Sequence, residues 1–553
     1  MISFLLFPAS VALALVLLAT HRPHRSINEV FVQHHRPLIL KTAVGLWLVA
    51  FLAVVIAVNI ARLPLYGGLW RELLYSPNAI QITTAVGLVL LLLCEAMVIA
   101  YWIVYVTYCW IGLTRYRLAA SSPLAREAPG VVVLIPCCDE DAHRLERSIS
   151  SVARLDYESV TSYLIENSRD PALKATAACL AERHGLRVVH VSNRGRKAGA
   201  LNEAMRLLDL HEPYLAIIDS DQRVAPEFLR ELVPVLEADP GLAFVQTPQL
   251  HEDGDPSRLA TAASQQEMLP YDSILEGKGS IGRVQCCGTN FVMRLRALKE
   301  VGGWDEEGIT KEDTATSFRM HGAGWRSCYV QKAYAFGLGP STLSDYRRLQ
   351  FKWAFGNTRV FRLVIGSMMG RNRERAPLIV ALDYLWTTGF YATTLALAGL
   401  SLLPILLWLL PVHAERVLYS YAVLGMVMLF PYFNMGLRGY SVRNLLLLHG
   451  LLSMTTSCHL SGVMNGLVWC SGDDRSFSVH GRFRERSIWL SLHPYVFLGF
   501  MAAGSLSLRQ TLMHPTNPYL WVVLLWLFGY SILAGQYLCF LSTADSTARS
   551  RRQ

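Results

Sequence analysis

The chain has 553 residues, of which 52% are hydrophobic and 17% charged, with a mean hydropathy of +0.30 and a net charge of +9. That is too apolar for a purely water-soluble protein and too polar for a bare bundle of spans. The basic residues flank apolar stretches, a distribution that suits an anionic lipid leaflet and argues against a nucleic-acid-binding face.

Apolar stretches long enough to cross a bilayer fall near 3–20, 38–61, 80–113, 378–411, 416–436, 488–508 and 517–543. The segment from about 120 to 370 has none. Three spans, an inserted domain and about four further spans are expected, with boundaries at 1–118, 119–372 and 373–553. His21-Arg22-Pro23-His24-Arg25, Arg36 and Lys41, then Arg115 and Arg117, and the tail Arg549-Ser550-Arg551-Arg552 place basic charge on one side. The positive-inside rule makes that side cytosolic, so the inserted domain is expected in the cytosol. The first stretch lacks a basic n-region and a small-residue cleavage site, so an anchor is expected there instead of a cleaved signal. Eleven cysteines form no CxxC pair, and Cys137-Cys138 and Cys286-Cys287 are read as reduced thiols.

Within the inserted domain, Val131–Pro136, Tyr163–Ile165, Arg187–Val191 and Tyr214–Ile218 read as short buried strands. Helical patterns cover Arg144–Leu155, Lys197–Leu208 and Pro226–Leu236. Strands alternating with helices predict a mostly parallel sheet covered on both faces, with ligands beyond the carboxyl ends of the strands. Asp139, Glu166 and the pair Asp219/Asp221 all fall at such ends.

Asp219-Ser220-Asp221 alone is most often a solvated turn. At the end of an apolar strand it offers hard oxygen ligands suited to Mg²⁺ or Mn²⁺ bridging a diphosphate. Glu312-Asp313 opens a helical pattern, where acidic residues complement the dipole; the chemical alternative makes Asp313 a general base. The basic, aromatic run Tyr346–Gly356 reads as an interfacial helix with snorkelling side chains. Within it Trp353 offers a stacking face, and the cations suit a diphosphate leaving group. Arg194–Asn202 is an ordinary basic helix start or a phosphate cradle.

Together these residues resemble the membrane-embedded processive synthases of glycosyltransferase family 2, which include cellulose, hyaluronan and chitin synthases. The resemblance runs from Ile135-Pro136-Cys137-Cys138-Asp139-Glu140 through Lys197-Ala198-Gly199, Asp219-Ser220-Asp221, Val245-Gln246-Thr247-Pro248-Gln249, Cys287-Gly288-Thr289-Asn290, Gly302-Gly303-Trp304, Glu312-Asp313 and Gly324-Trp325-Arg326. It implies a GT-A-type α/β domain set between transmembrane helices, a UDP-sugar donor, inversion at the anomeric carbon and a channel for the growing polysaccharide. On this resemblance Asp219 and Asp221 hold the metal, Asp139, Glu166 and Lys197 the nucleotide, and Glu312-Asp313 the catalytic position. Gln350, Lys352 and Trp353 serve the substrates, and Arg482 lies in a gating-type loop within 471–486. Lys311 stands where threonine is usual, Leu349 where glutamine is usual, and Lys352 where arginine is usual. The gating loop requires Asn444 to Cys470 to be an interfacial or re-entrant element. A β-glucan made from UDP-glucose is the favoured product. The alternatives are transfer of single sugars to a lipid carrier and a catalytically silent scaffold or transporter. An export partner or a homo-oligomer is left open.

Overall fold

A computed structural model describes residues 37–75, 78–115, 128–192, 196–251, 258–306, 310–340, 342–370, 375–408 and 419–468, with positions 512, 513, 521 and 524. The expected spans at 3–20 and 488–508, most of 517–543, and the 471–486 loop with Arg482 lie outside the described residues.

Two long apolar helices, α1 (Pro37–Tyr75) and α2 (Ala79–Arg115), precede the central domain. The domain begins with β1 (Val131–Cys137), α3 (Ala142–Val152), β2 (Val160–Glu166), α4 (Pro171–Arg183) and β3 (Arg187–His190). It continues through α5 (Arg196–Leu208), β4 (Tyr214–Ile217), β5 (Gln222–Val224), α6 (Phe228–Ala238), β6 (Leu242–Gln246) and β7 (Gln249–His251). Asp141 and Asp170 cap α3 and α4 by accepting the Arg144 and Ala172 amides, which is why these helices start directly after their strands.

The main sheet has the order β3-β2-β1-β4-β8-β6-β9, where β8 is Phe291–Arg294 and β9 is Arg326–Tyr329. Only β8 runs against its neighbours, so the expectation of a mostly parallel sheet holds. Alternation along β1 feeds two cores. Val131, Val133 and Ile135 pack with α3, α4 and α6, while Val132 and Leu134 pack with α5 on the other face. Each such fully buried branched side chain contributes roughly 1.5–3 kcal/mol. A second sheet, β5-β10-β7 with β10 at Ala335–Gly337, stands beside the first.

Between β7 and β8 the chain leaves the sheet as α7 (Arg258–Leu269), a π-turn (Pro270–Ile274) and α8 (Leu275–Ser280). This wedge meets the membrane helices. Lys278 Nζ lies 2.9 Å from both Asp383 oxygens and donates to Thr387 Oγ1 at 2.7 Å. Arg438 pairs with Asp272 and Glu276 at 3.4 and 3.2 Å. All five charged groups are buried, as such residues are only when paired. Gly277 is required here, because a Cβ would stand 2.8 Å from the Tyr108 carbonyl carbon of α2.

The domain closes with α9 (Leu295–Glu300), α10 (Glu312–Gly322) and α11 (Leu343–Met368). Beyond it lie α12 (Leu378–Thr388), α13 (Phe390–Trp408), α14 (Ser420–Leu437) and α15 (Val442–Val468). Among the described residues, Ile39–Tyr75, Ala79–Leu113 and Ser420–Leu437 are long and apolar enough to cross a membrane. The first outruns the expected 38–61. The expected single span 378–411 is instead two helices that break at Gly389, whose amide closes α12 onto the Leu385 and Trp386 carbonyls. Asp383 on α12 is held by Lys278, which ties this half of the segment to the central domain.

Candidate active site

Because β8 is reversed, its first residue shares an edge with the last residues of β4 and β6. Phe291 pairs with Ile217 on one side and Gln246 on the other. The loop Cys286–Asn290 therefore enters the same cleft as Asp219 and Asp221. Gln246, fully buried, anchors this loop: its amide donates to the Thr247, Thr289 and Asn290 carbonyls, and its oxygen accepts from Cys287 N at 2.9 Å.

Lys197, near the start of α5, projects into the cleft. Its ammonium donates to Asp219 Oδ1 and, at 2.7 Å, to the Gly288 carbonyl. Burial works to lower its pKa, but Asp219 and then Glu312 outweigh burial and raise it, so the lysine stays charged. Asp219 is fixed from behind by its own amide donating to Thr289 Oγ1 at 3.1 Å. Asp221 stands at the mouth, its residue exposed but its carboxyl hemmed in by neighbouring groups. That partial desolvation, then Asp219 and Glu140, push the carboxyl up to about 6. Two or three crowded carboxylate oxygens of this kind are the donor set that a hard divalent cation relieves. Among the described residues no group of three or more His, Cys, Asp and Glu is placed to hold an ion.

Glu312 and Asp313, both buried, open α10 under the same loop. Gly288 is in the left-handed region (φ +88°), and a Cβ there would lie 3.2 Å from Asp313 Oδ2 and 3.9 Å from Lys197 Nζ. Asp313 Oδ1 accepts the Thr314 amide at 2.7 Å, which fixes the carboxylate and leaves Oδ2 toward the cleft. Burial, then Asp313, raise the Glu312 pKa. Asn202 of α5 exchanges hydrogen bonds with the Trp304 backbone at 2.9 Å each way, pinning the segment that leads to α10.

Of the residues singled out in the sequence, Lys197, Asp219, Asp221, Glu312 and Asp313 converge on this cleft, with Trp353 and Lys352 on its α11 side. The Lys311 ammonium stands 6.0 Å from the Trp353 ring centroid, and exposed Lys352 acts electrostatically on Glu312. Asp139, held with φ +52°, spends Oδ1 on the Arg169 and Asp170 amides. Glu166 is fully buried against Ser168, Lys174 and His190, and its Oε1 accepts the Ser168 amide at 2.7 Å. Gln350 is fully buried between helices, bonded to Gln266 and His459, and does not line the cleft. Gln246, Gly288 and Thr289 are the supports that the sequence named only as parts of motifs.

Residues 129–356 match the family described as "Glycosyltransferase like family 2", and residues 296–482 match "Cellulose synthase". The two matches support a family 2 glycosyltransferase of cellulose synthase type. Putative cellulose synthase 2 of Komagataeibacter xylinus is 27% identical over 241 residues, 42% of this chain and 16% of that protein. Probable glucomannan 4-beta-mannosyltransferase 7 of Oryza sativa subsp. japonica is 29% identical over 249 residues, 43% of this chain and 42% of that protein. The matched part of the chain thus spans about a sixth of the first relative and under half of the second. Among solved structures, the mannosyltransferase of Pyrobaculum calidifontis in complex with GDP-Man and Mn²⁺ superposes with a TM-score of 0.49 at 17% identity, over 68% of this chain and 99% of that one. The mixed sheet of this glycosyltransferase is flanked by helices apolar enough to span a membrane.

Proposed function

We propose that this glycosyltransferase is a processive, inverting β-glycan synthase that polymerises a nucleotide-activated hexose and passes the polymer through its own spans. The favoured donor is UDP-glucose and the favoured product a β-glucan. The carrying observation is the convergence on Gly288 of a charge-fixed lysine–aspartate pair and a buried carboxylate, beside a helix that carries Trp353.

In this reading Asp313 Oδ2 takes the proton of an acceptor hydroxyl as its oxygen bonds to the anomeric carbon. The bond from that carbon to the diphosphate breaks, and its electron pair leaves with the nucleoside diphosphate. Lys197 holds Asp219 and the loop carbonyl in place, and Asp219 and Asp221 are the residues to hold Mg²⁺ or Mn²⁺. The ion supplies charge neutralisation at the leaving diphosphate. Trp353 stacks on the terminal acceptor ring, Lys352 stands toward the departing diphosphate, and Arg482 would act from the gating-type loop. Asp139 and Glu166 shape the nucleotide end. The basic loops support a cytosolic catalytic domain in the cell (inner) membrane.

The likeness to glucomannan 4-beta-mannosyltransferases favours one second reading, in which the donor is a mannosyl nucleotide. Nucleotide release by the protein in nanodiscs, with UDP-glucose, UDP-N-acetylglucosamine, UDP-glucuronate or GDP-mannose and either metal, decides between them. A high-mass product destroyed by a β-glucanase supports the first reading; one destroyed by a β-mannanase supports the second. Single-sugar lipid products would remove processivity, and silence with every donor would remove both readings.

A further inference from the structure

Lys311 occupies a prepared seat. Its stem lies against α11 at Gly356, where a Cβ would come within 2.7 Å of Lys311 Cγ. The preceding Thr310 hydroxyl donates to the Lys352 carbonyl at 3.2 Å and closes the junction between the start of α10 and α11. The alkyl chain is thereby led to the Trp353 side of the cleft, where the ammonium stands 6.0 Å from the ring centroid and 3.9 Å from Asp313 Oδ2. The second distance is an ion pair and too long for a hydrogen bond. Among the described residues this ammonium makes no hydrogen bond within 3.5 Å, and its contacts are with Asp313 Oδ2 and the Trp353 ring. Cys287, on the loop that floors the cleft, lies within electrostatic reach of both groups.

We infer that Lys311 is an acceptor-binding residue: Asp313 Oδ2 receives the nucleophilic hydroxyl, and the Lys311 ammonium donates to the hydroxyl oxygen next to it on the same ring. The acceptor class is then a sugar that presents a vicinal diol at its growing end. Neighbouring ring oxygens are spaced at about one hydrogen-bond length, so each can sit at bonding distance from one of two groups 3.9 Å apart. The ammonium fixes the ring without touching the proton that Asp313 takes. This rests on the reading of Asp313 as base given above. It adds what that reading lacks, a reason for a cation at this position and a requirement on the acceptor.

The test is a two-by-two cycle on the whole protein in nanodiscs, read as nucleotide release against acceptor concentration. The acceptors are cellotetraose and mannotetraose and their counterparts with hydrogen replacing the hydroxyl beside the nucleophile on the non-reducing ring. The variant is Lys311→Met, which keeps the stem and removes the charge; Lys311→Arg restores a donor. Losing a charge-assisted hydrogen bond costs about 10- to 100-fold in kcat/KM for the acceptor. Lys311→Met and the deoxy acceptor should each show that loss with the donor KM unchanged, and together should lose no more than either alone. Lys311→Arg should recover part of it. Losses that multiply, or a Lys311→Met protein that uses the tetraoses as the parent does, overturn the inference. So does nucleotide release that neither tetraose accelerates, which leaves the synthase reading standing. No release from any donor overturns both.

Discussion

Gly288 sets the spacing between the charged groups of the cleft. Alanine there meets both a left-handed backbone, costing roughly 1–2 kcal/mol, and a Cβ 3.2 Å from Asp313 Oδ2. Gly288→Ala should lower kcat about tenfold or more while lowering the thermal unfolding midpoint by only about a few degrees; normal turnover would show that the loop gives way. Asp313→Asn should lower turnover by about 10²- to 10⁴-fold while nucleotide binding, followed by calorimetry, persists. Asp221→Ala should weaken donor binding and flatten its metal dependence together, and an unchanged metal titration would remove Asp221 from the ligand set. A pH effect belongs to His321, on α10 between Ser327 and Tyr384. Burial, then Lys278, push its pKa from 6.5 down to about 3, so the folded protein keeps it neutral. Between those values the unfolded chain binds a proton that the folded one refuses. Stability is therefore intact above about 6.5 and falls as pH drops toward 3, by at most about 1.4 kcal/mol per unit. His321→Gln should flatten the midpoint-versus-pH curve in that window. The carboxylates of the cleft were legible in the sequence because they end apolar strands or open a helix. Glu166 and Gln350 were legible as motif neighbours, but the sequence does not say which way a side chain turns, and both are fully buried.

At the scale of elements, α15 lies close along α11. A Cβ at Gly462 would stand 2.6 Å from Ala354 Cβ, and one at Gly466 would stand 2.7 Å from Thr358 Cβ. Two glycines four residues apart let backbones approach in the manner of small-residue helix pairs. Gly462→Leu should cost roughly 1–3 kcal/mol through overpacking and, because α11 carries Trp353, should raise the acceptor KM more than the donor KM. Equal effects on both would uncouple the helix pair from the acceptor side. The strand and helix order of the central domain was legible from alternation and caps. The break at Gly389 was not, since hydropathy measures apolarity and takes no account of Asp383 being held by a partner 105 residues away.

At the scale of the whole molecule, the wedge of α7, the π-turn and α8 joins the sheet to the membrane helices through Lys278–Asp383 and Arg438–Asp272/Glu276. Lys278→Met leaves Asp383 charged and without its cation, which should cost about 3–5 kcal/mol and lower the unfolding midpoint in detergent. Adding Asp383→Leu should restore much of the loss. A double variant no better than the single one would show that the contact matters for packing alone.

The reversed strand has a consequence for the order in which the molecule is made. Among the described residues β6 pairs with β8 and β9 alone, and the open side of β4 with β8 alone. As the chain leaves the ribosome, β1 to β4 can assemble by residue 217, but β6 emerges by 246 and waits until β8 appears at 291. Through those 45 residues the nascent sheet has an uncovered edge and a mostly apolar strand in search of a partner, and the wedge that seats it against the membrane is the segment being synthesised. Chains stopped between 246 and 291 should be aggregation-prone, whereas chains extended past β9 at 329 have every main-sheet strand available to pair.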